Sequence, residues 1–438
     1  MVKILHLHNP EIGKHFEGIR SSLTGADQAW LGAVREEAMT RFTNTGIPGP
    51  KVEEWKYTNL GFLANENFAV GTKADQTSEI KAFYDAAYLA DIAGPVVVFV
   101  NGHIYPALSS YPDEEGVEFS VFSENTSAFR DTLESSDQAS SLNDLNRAMV
   151  TDGYRLDIAA GVQVRQPIQI IHIVTSATDM KLIPVRSQVT ASKGAKARII
   201  ETFIGAENER YWGHMISETT LHDAADISLI QFQLQGKQAI HMTELHTTVA
   251  EKANFSHMSL QLGAEISRTE LINSFTGEYA HIDLRGAYLG RVKQSHDIYT
   301  RINHDQPNCQ SNQLYRGVLD EGGKSAFQGK VVVARDAQKT NADQSNKNLL
   351  LSRKAEANAK PELLIYADDV KCSHGATVGE MDANQLFYLR SRGLDEVAAK
   401  GLLVEAFVAE VFDDMDDEIL RDAFKAKAAG WLSREERA

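Results

Sequence analysis

Cysteine is nearly absent from this chain, which has only Cys309 and Cys372 among its 438 residues. Two cysteines cannot build the disulfide framework that stabilises small secreted domains. The start of the chain, MVKILHLHNPEIGKHF, also lacks the basic, apolar and small-residue order of a signal peptide. Both absences favour a protein of the reducing cytoplasm.

Long hydrophobic runs and an excess of positive charge are missing as well. The apolar run from Pro95 to Val100 is far too short to cross a bilayer and predicts a buried strand. The chain has 60 acidic and 44 basic residues and a formal net charge of −16. This charge argues against binding nucleic acid or an anionic membrane, so neither is an expected partner.

The common catalytic motifs are also absent: the sequence has no HExxH, GxGxxG or GxSxG pattern. The stretch EGGKSAFQGK resembles the end of a phosphate-binding loop, but Gly317 lies one residue too far from the Gly-Lys pair. The residues that follow it predict a strand, where a phosphate-binding helix would have to begin. Hydrolase, dehydrogenase and nucleotide-binding functions therefore have no support.

A repeated β pattern is present instead. AKARIIETFIG, ADISLIQFQLQG, ANFSHMSLQLG and AHIDLRGAYLG start at residues 195, 225, 253 and 280, and thus recur every 27 to 30 residues. Each begins with a small residue and then alternates apolar and polar side chains, as a half-buried strand does. A regular period with one structural unit per repeat predicts a β-solenoid, although periodicity alone leaves a β-sandwich or barrel open.

Helical patterns flank this region. Residues 27–42 place an apolar residue at every fourth position, and the NTGIPGPK that follows ends the helix. Helical periodicity returns after about residue 382, with wide apolar faces between residues 395 and 431 that we expect to contact a partner in part. The sequence predicts an N-terminal helical domain over 1–92, a β core over 93–368 and a C-terminal helical domain over 369–438.

Cys372 and His374, in ADDVKCSHGATVG, are the candidate metal ligands. Residues two apart on an extended strand point to the same side, so the thiolate and the imidazole can converge on one ion. A nucleophile with its base is one alternative, and a turn without chemical function is another. Two ligands are too few for a closed metal site, which suggests that a second chain supplies the others.

Local charges leave the reactivity of Cys372 open, because Lys371 favours the thiolate and two nearby aspartates oppose it. Cys309 lies near His304 and Asp305, and its expected role is structural. The surrounding residues 300–348 are rich in Asn, Gln and Asp, which predicts ladders of stacked polar side chains along the solenoid.

Residues 308–393, and above all AFQGKVVVARDAQKTNADQSNKNLLLSRKAEANAKPELLIYADDVKCSHGATVGEMDANQLFYLRSRGL, closely resemble the SufB/SufD family of the SUF iron–sulfur cluster assembly system. PKVEEWKYTNL near the start is similar to the N-terminal motif of that family. The absence of cysteine before Cys309 resembles the SufD branch rather than the SufB branch, whose chains carry an N-terminal cysteine cluster. The resemblance implies a right-handed parallel β-helix between N- and C-terminal helical domains.

The resemblance also implies partners and a site. A chain of this branch pairs with SufB through the β-helices, forms a homodimer when SufB is missing, and binds the SufC ATPase through its C-terminal helices. His374 matches a family histidine implicated in nascent cluster formation. Together with Cys372 it would hold a transient iron–sulfur cluster or iron at the interface with SufB.

The remaining expectations concern cofactors and catalysis. The resemblance implies that the chain alone binds no cofactor and is not an enzyme, because SufC supplies the ATPase activity. It associates the complex with reduced flavin, for which this sequence has no binding motif. Two alternatives are a purely structural adaptor and a carbohydrate-active β-helix, but the repeats are poor in the aromatic residues and paired carboxylates that carbohydrate chemistry needs.

Overall fold

The computed structural model describes residues 6–135, 140–176 and 180–433. Its helices are α1 Pro10–Ile19, α2 Ala29–Thr45, α3 Ser78–Ala87, α4 Arg130–Glu134, α5 Ser141–Met149, α6 Ala383–Ser391, α7 Glu396–Ala409 and α8 Glu418–Ser433. Helix α2 is the helix predicted over 27–42, and it ends at Gly46, whose φ of 82° is readily adopted only by glycine.

The rest of the described backbone is mostly β-strand. The strands are β1 His6–Leu7, β2 Ile47–Pro48, β3 Ala69–Val70, β4 Val96–Val100, β5 His103–Ile104, β6 Val117–Val121, β7 Asp152–Ile158, β8 Ile168–Val174, β9 Lys181–Ala191, β10 Lys196–Gly205, β11 Tyr211–Leu221, β12 Asp226–Leu234, β13 Ile240–Val249, β14 Asn254–Gln261, β15 Ile266–Phe275, β16 His281–Gly290, β17 Ser295–His304, β18 Gln310–Leu319, β19 Lys324–Val333, β20 Asn341–Leu350, β21 Glu356–Ile365 and β22 Lys371–Glu380. Within the apolar run predicted as a buried strand, Val96–Val100 forms β4, and all five of its residues are buried.

From β7 onward, the strands alternate between two sheets. The first sheet stacks the even-numbered strands β8 to β22 in parallel, and the second stacks the odd-numbered strands β7 to β21 in the same way. Each coil of chain therefore adds one strand to each sheet and pairs only with the coils before and after it. The predicted mainly β fold, a solenoid flanked by helices, is confirmed, and the sandwich and barrel alternatives are wrong.

The repeat alignment coincides with the strand register. Lys196 pairs with Asp226, Asp226 with Asn254, and Asn254 with His281, which are the second residues of the four repeats. The alanines that begin the repeats, at positions 195, 225, 253 and 280, are all at most 1 % exposed. In these four coils a small, buried side chain occupies the corner where the chain turns into the strand of the first sheet.

The space between the two sheets, which we call the lumen, holds the main core. In the earlier coils it is filled by apolar side chains such as Ile199, Leu229 and Leu284. In the later coils the same inward positions carry Gln313 and Gln344, both buried. The lumen therefore changes from apolar to polar toward the C-terminal end.

The N-terminal segment packs on the outside of the second sheet. Phe42 and Leu60 share a buried cluster with Trp212 and Met242 of that sheet. PKVEEWKYTNL continues along this surface as far as β21, where Lys360 forms an ion pair with Glu53. The segment thus spans the later coils from outside.

The C-terminal helices pack back on the outside of the first sheet. Val404, Val408 and Phe424 are buried against a surface that includes Phe232 and Leu289. An ion pair fixes this packing: Arg316, 1 % exposed, donates to both carboxylate oxygens of Glu410 at 2.7 Å. Among the described residues, no helix is both long and apolar enough to span a membrane.

The segment predicted as C-terminal and helical, 369–438, begins with a strand. Strand β22 occupies Lys371–Glu380, and the first helix begins at Ala383. Gly375 and Gly379 lie inside this strand, and nothing approaches within 4 Å of the place where either would carry a side chain.

Candidate functional site

Cys372 and His374 lie on β22, the last strand of the first sheet. Cys372 pairs with Ala342 and His374 with Gln344 of β20. Ala342 and Gln344 point into the lumen, where they are 1 % and 3 % exposed. Because equivalent residues of parallel coils point the same way, Cys372 and His374 also face the lumen. The turn considered for this stretch is not formed, since Ser373, Gly375 and Gly379 are all within the strand.

The two side chains differ in burial. Cys372 is half-buried and packs beside a small apolar cluster that includes Ala342, Val333 and Leu363. His374 is exposed. The Cys372 thiol is thus held by packing, whereas the His374 imidazole is accessible to solvent or to a partner.

Strands β21 and β22 form an uncapped end of the solenoid, which we call the open end. In the described part of the chain, each pairs along one edge only, β21 with β19 and β22 with β20. Tyr366 and Val378 are 63 % and 47 % exposed there. A free strand edge with apolar neighbours is a surface on which another strand can add.

Burial raises the pKa of the Cys372 thiol, and the Asp343 carboxylate acts in the same direction, while a backbone hydrogen bond at Ala342 opposes them. The thiol therefore remains protonated at neutral pH, which does not favour a nucleophile. A bound metal would displace the proton, because metals bind the thiolate. The pKa shift thus argues against a nucleophile and by itself gives no support to a ligand.

The number of ligands within the chain is small. Over residues 6–135, 140–176 and 180–433, no three His, Cys, Asp or Glu side chains are grouped so that they could hold a metal ion. A site built on Cys372 and His374 needs further ligands from another molecule.

Cys309 belongs to a different environment. It precedes β18 at the corner position that alanine occupies in the four repeats, and it is fully buried in the lumen core. Its thiol donates to the carbonyl of Gly277 at 3.2 Å, and burial raises its pKa. His304 is bonded to the Ser311 hydroxyl at 2.8 Å, and burial lowers its pKa to about 3. Both are parts of the core.

The polar lumen beneath the open end was only partly anticipated. Asn348 donates to Asn346 at 2.7 Å, and the Tyr288 hydroxyl donates to Asn348 at 2.7 Å. Gln313 and Gln344 are stacked in register on adjacent strands, as the predicted ladders require. What the sequence did not reveal is that Gln344 lies directly below His374, because that relation depends on coil length.

A groove borders the C-terminal helices. It has a volume of about 730 Å³ and runs along α7 and α8, with Val397 and Leu402 on its walls. These two side chains are 61 % and 47 % exposed. The wide apolar faces predicted between residues 395 and 431 therefore have two parts: one packs on the solenoid, and the other is exposed to solvent.

The N-terminal motif surrounds a buried arginine. The Arg268 guanidinium lies 3.9 Å from the Trp55 ring centroid and forms ion pairs with Glu270 at 2.7 Å and Asp297 at 2.5 Å. It also donates to the Glu54 carbonyl at 2.8 Å, and Thr58 is hydrogen-bonded to Asp297. The motif thus has a structural role: it is held on the second sheet by Arg268 and Asp297, which are distant from it in sequence.

Two family profiles match the chain. Residues 173–407 match "SUF system FeS cluster assembly, SufBD core domain", and residues 9–170 match "SufBD protein N-terminal region". The first profile covers the solenoid from β9 to β22 together with α6 and most of α7, and the second covers the N-terminal helices and the strands from β2 to β7.

Curated relatives agree with the profiles. The chain is 30 % identical to the iron–sulfur cluster assembly protein SufD of Escherichia coli over 397 residues, which cover 90 % of this chain and 91 % of the relative. It is 29 % identical over 426 residues to a SufBD family protein of Synechocystis, covering 93 % of each, and 26 % identical over 410 residues to SufD of Bacillus subtilis, covering 90 % and 92 %. The chain therefore belongs to the SufB/SufD family of iron–sulfur cluster assembly proteins.

Proposed function

We propose that this protein is a non-catalytic subunit of a SUF scaffold complex and supplies half of a cluster-assembly site. One observation carries the proposal: Cys372 and His374 face the lumen at the open end, where β21 and β22 each have an outer edge that no strand of the described residues pairs. A soft thiolate and an imidazole suit iron–sulfur chemistry. A partner that adds its strands to this end would bring the missing ligands.

The partner of the open end is proposed to be SufB, paired through the β-helix, and a second copy of this chain would occupy the same edge in its absence. Backbone hydrogen bonds across the joined edges would provide affinity, and the exposed Tyr366 and Val378 would be buried. The cargo is a transient cluster or iron, with no cofactor held by this chain alone. Reduced flavin would act on the complex, which we place in the cytoplasm.

The groove along α7 and α8 is the proposed docking surface for SufC. Its apolar walls, with Val397 and Leu402 exposed, fit a protein partner. SufC would bind ATP and dimerise, and its movement would pull on the C-terminal helices. Because these helices are packed on the first sheet, which ends in β22, the pull would open the interface and expose its ligands.

The test is the cluster content of the complex co-expressed with SufB and SufC under anaerobic conditions. We expect Cys372→Ala and His374→Ala to assemble normally but to lose most of their iron and acid-labile sulfide. Cys309→Ala is a matched control, because alanine occupies that corner in four other coils. His222→Ala, in an exposed turn, is the histidine control.

A purely structural adaptor is the competing function. It predicts that both site variants keep a full load of iron and sulfide, with the complex intact by size-exclusion chromatography. That result would remove the ligand role and leave only the scaffold role.

A further inference from the structure

Gln344 lies in register directly beneath His374, one coil deeper in the lumen. Its side chain is 3 % exposed, and neither its amide nitrogen nor its amide oxygen has a hydrogen-bond partner in the described part of the chain. Buried amides in native proteins nearly always find partners, so an unpaired one at a functional site points to a missing interaction.

The surroundings of Gln344 indicate where that partner comes from. Its amide crosses the lumen to Gly329, where a β-carbon would lie only 2.0 Å from the Gln344 nitrogen. In the coil below, the equivalent Gln313 already accepts a hydrogen bond from Thr300 at 2.6 Å. In the coil above, the residues in register with Gln344 and Gly329 are His374 and Pro361. Of these two residues only His374 has a side-chain N–H to donate, because proline has no N–H.

The same fold contains a comparable pair, offset by two residues along the strand. His257 on β14 is in register with Leu229 of β12, and one of its ring nitrogens is 2.9 Å from the amide oxygen of Gln231 on that strand. A glutamine can therefore orient a histidine of the next coil with the strand spacing of this solenoid.

We propose that Gln344 is the positioning residue of His374. Its amide oxygen accepts the N–H of one imidazole nitrogen, and the other nitrogen is then directed out of the open end toward the metal. Metal-binding histidines usually donate their second N–H to such an acceptor, which selects the tautomer and raises the basicity of the ligand. This inference rests on the proposed function above, and it adds a residue that does not itself touch the metal.

The experiment is an anaerobic titration of the assembled complex with Co²⁺, which reports thiolate and imidazole ligation through its absorption bands. We expect Gln344→Met to weaken Co²⁺ binding about 10- to 100-fold, as loss of such an acceptor commonly does. Gln344→Glu keeps an acceptor and should restore affinity to within a few fold of the wild type. Gln313→Met, one coil deeper in the same column, should bind as the wild type does. The thermal midpoint of the isolated Gln344→Met chain should not fall, because in the described part of the single chain the amide it removes has no hydrogen-bond partner.

Four outcomes decide the matter. Wild-type affinity in Gln344→Met, with loss in His374→Ala, overturns the positioning role and leaves the proposed function standing. Wild-type affinity in His374→Ala overturns the proposed function and this inference with it. An equal loss in Gln344→Met and Gln344→Glu assigns the effect to packing and overturns the inference. An equal loss in Gln313→Met does the same.

Discussion

At the residue scale, the lumen is unusual for its buried imidazoles. His172 lies between Phe99 and Phe203 of the neighbouring coils, with ring centroids 5.3 and 4.8 Å away and nearly parallel planes. Its Nε2 is buried without a hydrogen-bond partner among the described residues, and burial lowers its pKa to about 3. A histidine here completes an aromatic stack but leaves a polar atom unsatisfied.

Replacing His172 by phenylalanine should stabilise the protein. The stack is kept and the unpaired nitrogen is removed, so we expect the free energy of unfolding at pH 7.5 to rise by about 1 kcal/mol. Urea denaturation followed by circular dichroism measures this, with the exposed His222→Phe as a control that should change little. A lower midpoint for His172→Phe would mean that the imidazole makes a bond that its surroundings do not suggest.

At the element scale, the N-terminal motif is held to the solenoid by buried charge. Arg268 and Asp297 are each 1 % exposed, and they join the strands β15 and β17 to Thr58 of the motif. Removing one member of a buried ion pair leaves the other charged and unsolvated, which costs more than the pair itself contributes. The motif thus depends on residues more than two hundred positions away.

Arg268→Leu should therefore destabilise the protein by about 3–5 kcal/mol and free the segment around Trp55. Arg268→Lys should recover only part of this, because one ammonium group cannot replace a planar guanidinium that bonds two carboxylates and stacks on an indole. Denaturant unfolding and limited proteolysis near residue 55 are the measurements. Arg301→Leu, at an exposed position on β17, is the matched control. Unchanged unfolding of Arg268→Leu would contradict this account.

At the scale of the whole molecule, the buried histidines act together. Burial lowers the pKa of six histidines to about 3 or 4: His172, His241, His257, His296 and His304 in the lumen, and His214 beneath the N-terminal segment on the outside of the second sheet. Each has a folded pKa below its unfolded value of about 6.5, so the unfolded chain binds more protons as the pH falls. The histidines therefore do not reduce the free energy of unfolding above pH 6.5, and they reduce it progressively as the pH falls below that value.

Stability should thus be nearly constant above pH 7.5 and fall steeply between pH 6.5 and 5. Each histidine lowers the free energy of unfolding by about 1.4 kcal/mol per pH unit in this range. The six together can cancel a free energy of unfolding as large as that of a typical domain. Burial raises the pKa of carboxyls such as Glu201 and Glu218, so the folded state takes up their protons first as the pH falls, which offsets part of this decline. Urea midpoints measured from pH 8 to 5 check this, and His172→Phe should give a shallower decline. A constant midpoint down to pH 5 would show that the imidazoles are solvated.

The sequence alone determined the features that repeat. In a parallel solenoid, equivalent residues stack coil on coil, so a period read along the chain is also a period in space. For this reason the four alanine corners match the register, and the shared side of Cys372 and His374 follows from their spacing. The resemblance of residues 308–393 to the SufB/SufD family needed no structure either.

The tertiary structure decided what lies where the repeat stops. The glycines around Cys372 resembled turn formers, and only the pairing of β22 with β20 shows that the stretch is another strand. Three features depend on contacts between distant residues: within the described ranges no strand covers β22, the Gln344 amide beneath His374 has no hydrogen-bond partner there, and one face of α7 packs on the first sheet. Local pattern cannot encode these relations, because they are set by how coils, motif and helices fit together in three dimensions.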